Sequence, residues 1–121
     1  MKFLFYILVF VSVFSLNAQG DNYVSIKNDF KKAIVSNDLE SQKTVANKLI
    51  SYYSTKQYAY YTVLLNSVSQ NSILITNGVD DTYPLRILQL TKAVKPDINI
   101  LSLDLMQNKD YRHFISNKYY L

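Results

Sequence analysis

Apolar side chains recur at helical spacing from residue 23 onward. Tyr23, Ile26, Phe30 and Ala33 or Ile34 fall at i, i+3, i+7 and i+10 or i+11, with Lys27, Asn28, Lys31 and Lys32 on the remaining faces. That pattern predicts an amphipathic helix from about Asn22 to Ser36. Asn37 then stands where a second helix would be capped, with Glu40 three residues on in a capping-box arrangement. Leu39, Ala46, Leu49 or Ile50, and Tyr53 give this helix an apolar side running to about Tyr53. Ser54 and Thr55 break the pattern and offer a new N-cap. Tyr58, Tyr61, Leu65 and Val68 mark a third helix ending near Ser69. No 34-residue self-similarity links these helices, so a tetratricopeptide array is excluded.

The pattern changes between Ser72 and Asp104. Ile73, Leu74 and Ile75 form a short continuous apolar run, as expected of a central strand covered on both faces. Ile98, Ile100, Leu101, Leu103 and Leu105 give a second stretch the same character. Between them, Leu85, Ile87, Leu88, Leu90 and Val94 leave a helix from Pro84 to Val94 little polar surface, so it should be pinned between the sheet and the first three helices. Pro84 fits the first helical position, Asp81 or Thr82 can cap, and Pro96-Asp97 supplies the turn into the second strand. The spacing allows Ile73 to Thr76 and Ile98 to Leu103 to be adjacent parallel strands joined by a right-handed crossover. A terminal helix follows from Asn108 to Tyr119. The predicted fold class is therefore α/β: N-terminal helices (22–69) packed on a small parallel sheet built around one βαβ unit (72–121), half of a Rossmann-like arrangement.

The first residues carry a different signal. Met1 and Lys2 precede an apolar run from Phe3 to Phe14 that is interrupted only by Ser12. Leu16-Asn17-Ala18 then supplies a cleavage site before Gln19, the layout of a secretory signal peptide (1–18). The run is shorter than the roughly 20 residues needed to cross a bilayer. Residues 19–121 would form a single periplasmic or secreted domain, consistent in size with one hydrophobic core. The sequence has 0 Cys. A lipid anchor on cysteine is thus excluded, and stability must rest on packing without disulfides.

Charge narrows the partners. Without Lys2, 12 basic side chains face 9 acidic ones, and the lysines are scattered rather than striped. Nucleic acid is not the expected partner. Tyrosine is unusually frequent, at 11 residues, and Tyr52-Tyr53, Tyr60-Tyr61 and Tyr119-Tyr120 occur as adjacent pairs. Only one member of each pair can face a core, so the others offer an aromatic surface or simply snorkel to water. His113 is a lone histidine with no triad spacing around it. Ser72 and Ser102 lack the Gly-x-Ser-x-Gly context of a nucleophile.

Topology selects one place for a ligand. In open parallel sheets, ligands bind beyond the carboxyl ends of the strands, where loops and helix N-termini converge. Asn77, Asp80, Asp81 and Thr82 follow the first strand and Asp104 the second, so these five are the ligand-binding candidates. Asp80, Asp81 and Asp104 could together take a hard cation such as Ca²⁺ or Mg²⁺, which prefer oxygen ligands. The helix N-terminus could instead hold an anion, although the aspartates oppose it. The plainer alternative makes Asn77-Gly78 a turn with Gly78 at positive φ, Asp81 or Thr82 a cap, and Asp80 a solvated side chain.

The string Thr76-Asn77-Gly78-Val79-Asp80-Asp81-Thr82-Tyr83-Pro84-Leu85 is followed by Leu88-Gln89 and Val94-Lys95-Pro96-Asp97-Ile98. Over Ile73 to Tyr111 this resembles a soluble segment of large bacterial membrane proteins similar to protein O-mannosyltransferases. Val79 replaces that family's first Asp and Ser102 its usual strand Asn, so the family's carboxylate spacing is not kept. What the resemblance implies is a shared extracytoplasmic module, without the sugar-transfer chemistry. Two functions follow as expectations. One is a non-enzymatic exported module that binds a partner, such as an envelope or membrane protein; the other is a metal- or sugar-binding domain using the Asn77 to Thr82 loop, with weak hydrolytic or transferase-associated activity.

Overall fold

The computed structural model describes residues 22–119, so the expected signal peptide lies outside the described residues. A first helix, α1 (22–35), is followed by α2 (Leu39–Leu49), α3 (Thr55–Asn66), β1 (Ile73–Thr76), α4 (Val79–Lys92), β2 (Asn99–Ser102) and α5 (Lys109–Tyr119). Single 3-10 turns at Ile50–Tyr52 and Leu105–Gln107 complete the described chain. The α/β class, the parallel strand pair and the C-terminal helix agree with the sequence reading. β1 and β2 run parallel, with Ile73 opposite Asn99 and Thr76 opposite Ser102.

Helix boundaries follow local chemistry, not always as expected. Asn37 does not cap α2. It takes a left-handed φ of 55° and closes α1, with the Asn37 N–H donating to Ile34 O and the Asp38 N–H to Ala33 O. The Asp38 carboxylate is the cap of α2, accepting from the Ser41 N–H at 3.1 Å and the Ser41 hydroxyl at 2.7 Å. α2 also ends at Leu49, short of Tyr53, because the chain tightens into the 3-10 turn there. Ser54 caps α3 as expected, in a capping box with Gln57: each side chain bonds the other residue's backbone N–H, at 3.1 and 2.8 Å.

α4 begins at Val79, five residues before the expected start at Pro84. Gly78 is its N-cap, Asp80 and Asp81 lie in its first turn, and Pro84 sits inside it. Acidic side chains in a first turn complement the helix dipole, which favours this earlier start. At its other end Ala93 turns the chain with φ 52°, and Pro96-Asp97 form the turn closed by the Ile98 N–H on Lys95 O.

α4 is the centre of the molecule. Tyr83 and Ile87 pack with Phe30, Val45, Ala46 and Leu49 of α1 and α2. Leu85 and Leu88 pack with Tyr61 and Leu65 of α3 and with Ile98, with Leu74 and Ile100 of the sheet against the same cluster. The inner sheet face thus rests on α4, as expected. The outer face does not match expectation: Ile73 and Ile75 are 47% and 61% exposed, as is half of Leu103. A continuous apolar run looks the same whether one or both faces are covered, and here, among the described residues, no layer buries Ile73 and Ile75 on the second. On β2, Leu101 is half-covered by a small cluster of Leu105, Tyr111 and Ile115.

Candidate functional site

The carboxyl ends of the strands carry the five residues singled out from sequence. Backbone pairing continues beyond the strands, with the Leu103 N–H on Thr76 O at 2.9 Å and the Asp104 N–H on Asn77 O at 3.1 Å. This places Asn77 and Asp104 side by side at one end of the sheet. Gly78 adopts φ −131°, not a positive angle, and an added Cβ would meet nothing within 4 Å. Its role is therefore not conformational.

Thr82 is buried and its hydroxyl lies 2.8 Å from Gly78 O and 2.6 Å from the hydroxyl of Thr76. A hydroxyl has one proton. If Thr82 donates to the carbonyl, Thr76 must donate to Thr82, so the two threonines lock the first turn of α4 onto the end of β1. Neither Asp81 nor Thr82 caps the helix from outside it.

The aspartates separate. Asp81 accepts a 2.6 Å hydrogen bond from the Tyr61 hydroxyl. That hydroxyl is also 3.4 Å from Asp80 O, the carbonyl that Pro84, lacking an N–H, leaves without its helical partner. Burial, then the Asp81 contact, pushes the Tyr61 phenol well up. Burial, then the nearby Asp104, pushes Tyr83 up to about 12. Asp81 is thus bonded to one tyrosine, and Asp104 acts on another through its charge. Among the described residues no group of three or more Asp, Glu or His gathers at metal-binding range. Asp80, Asp81 and Asp104 are not brought together as the three-carboxylate site that topology suggested.

A second region draws polar groups inward. A cavity of about 210 Å³ lies between α1, α2, α4, β2 and α5, and Thr82, Arg86 and Gln89 of α4 all line it. Arg86 Nε donates to Gln42 Oε1 and Nη1 to Gln89 Oε1, both at 3.0 Å. Gln42 is in turn fixed on Ala33 O and Gln89 on Lys95 O and Ile98 O. The guanidinium is consequently held in one orientation by two neutral amides. Lys118 of α5 lines the same cavity. Its ammonium pKa is lowered, first by burial and then by the charge of Arg86; burial likewise lowers Arg86. Among the described residues the single ion pair joins Lys43 to Glu40, both exposed on α2. Among the described residues no Asp or Glu lines the cavity.

Of the five sequence candidates, Thr82 alone reaches this cavity. Arg86 was missed, though a signal existed. Thr82, Arg86 and Gln89 recur at i, i+4 and i+7, a polar ridge on a helix otherwise surrounded by apolar residues. The single histidine, His113, lies exposed on α5.

The family described as TMEM260-associated domain 2 matches residues 55–120, more than half of the chain. The chain belongs to that family. The matched span runs from α3 through α5 and contains the whole βαβ unit. α1 and α2 precede it, so Gln42 holds Arg86 from outside the matched span. No curated protein matches the chain, and no solved structure does.

Proposed function

We propose that this chain is an exported, non-enzymatic binding module whose partner is an envelope membrane protein, engaged through the outer face of the sheet. The observation that carries the reading is the pair Ile73 and Ile75, exposed on a strand with one strand neighbour among the described residues. Natural edge strands are commonly blunted by charge, proline or cover. β1 has neither charge nor proline. Its outer edge therefore suits a partner that adds a strand and covers the two isoleucines and Leu103. The choice of a membrane-protein partner rests on the family, whose description ties it to TMEM260, a membrane protein. Export is supported by the apolar run from Phe3 to Phe14 and by Ala18 just before the expected cleavage at Gln19.

Photo-cross-linking in cells tests the partner. A cross-linker at Ile75 should give an adduct with an integral membrane protein, whereas one at Lys43, on the exposed side of α2, should not. Adducts with a second copy of this chain alone, or equal labelling from both positions, would overturn the reading. Intact-mass measurement checks export separately: the secreted chain should begin at Gln19.

A further inference from the structure

We infer that the cavity around Arg86 and Lys118 is a binding site for a small oxyanion, the carboxylate or phosphate group of a small molecule. The inference is independent of the sheet face and of any protein partner. It stands on charge first. Arg86 is half-buried; a guanidinium partly withdrawn from water is costly unless paired, and amide oxygens carry no charge to offset it. Gln42 and Gln89 occupy Nε and Nη1, while no described residue accepts from Nη2. Among the described residues no buried side-chain nitrogen or oxygen lacks a partner, so Nη2 keeps some contact with solvent.

Lys118, exposed on α5 with its ammonium over the rings of Phe114 and Tyr119, brings a second positive charge to the same cavity wall, where it and Arg86 repel one another. Two cations at a space with no acidic lining among the described residues form a complementary field for an anion. The fixed guanidinium adds geometry, since its planar fork matches two oxygens of a carboxylate or phosphate at once. Size limits the ligand. At about 210 Å³ the cavity is below the roughly 300–1,000 Å³ of sites for drug-sized ligands. It suits an oxyanion head with a short attached group, not a nucleotide. Asn37 and Asn99 add amides to the lining, and Phe114 an apolar wall.

The test uses the full mature chain, with thermal melts in inorganic phosphate, in acetate, and in chloride at equal ionic strength. Phosphate or acetate should raise Tm above the chloride control; a rise with one and not the other identifies the head group. Lys118→Gln removes a charge that makes no hydrogen bond into the core, and should fold normally while weakening the oxyanion at least tenfold by NMR titration. Arg86→Lys keeps the charge but loses the fork, and should weaken it further. If Arg86→Lys does not fold, Lys118→Gln decides alone. Equal melting in all three salts, or titrations unchanged by Lys118→Gln, would overturn the assignment.

Discussion

α4 and the sheet it covers are built from similar stretches of apolar sequence and meet opposite fates. Leu85 and Ile87 are 0% exposed, while Ile75, in an equally apolar run, is 61% exposed. The difference lies in the number of neighbours, not in hydrophobicity. α1, α2 and α3 pack around α4 and the sheet closes its remaining side; nothing among the described residues lies over the outer face of β1. An apolar run therefore states a requirement for burial without saying what meets it. For α4 the domain meets it, and for β1 the requirement stays open to a partner.

The sharpest test of that contrast is a pair of truncations. Ile87→Ala should cost about 2–5 kcal/mol, because a fully buried side chain leaves a cavity in a packed core. Ile75→Ala should stay within about 0.5 kcal/mol, as an exposed position does. Urea denaturation of both variants measures this, and comparable losses would erase the distinction.

High pH should attack the core around α4. Burial, the largest cause for each, raises Tyr58 and Tyr83 from 10.0 to about 12. A phenol whose folded pKa is raised contributes stability that is complete below pH 10 and is lost as pH climbs toward 12, because the unfolded chain ionises first. Unfolding free energy should hence be flat up to about pH 10 and fall above it. The Tyr83→Phe variant should fall less steeply, which checks the assignment.

Two smaller effects concern the ends of α4. Ala93 occupies left-handed backbone at φ 52°, a region that costs a non-glycine residue roughly 1–2 kcal/mol. Ala93→Gly should raise stability by about 0.5–1 kcal/mol, the unfolded-state entropy of glycine offsetting the rest. At the other end, Gly78→Ala meets no clash and no conformational penalty. Reduced unfolded-state entropy favours alanine by about 0.4–1 kcal/mol, and glycine's better fit at an N-cap opposes it. The net change should be within about 0.5 kcal/mol, measured in the same denaturation series.

The βαβ unit was legible because two apolar runs flank a helical pattern and a Pro-Asp turn, signals that tertiary packing reinforced. The start of α4 was not, because Pro84 looked like a first helical residue. In the fold it is the sixth, and the lost hydrogen bond falls on Asp80 O, beside the Tyr61 hydroxyl. Spacing along the chain could place Asn77, Asp80, Asp81 and Asp104 at one end of the sheet. It could not say that Asp81 would be claimed by a tyrosine twenty residues away in sequence. Arg86 escaped for a related reason: Gln42, which turns it into a fixed donor, comes from a helix forty-four residues earlier.

The parallel pairing of β1 with β2 also has a kinetic consequence. Each helix closes contacts only a turn apart, but the strand pair joins segments separated by the whole of α4. Closing that loop costs chain entropy before any ladder bond repays it. The sheet should consequently form late, after α4 has docked on the earlier helices. In the native state its amides should exchange with solvent through openings that leave α4 intact, the lower-energy route in a hierarchy of partial unfoldings.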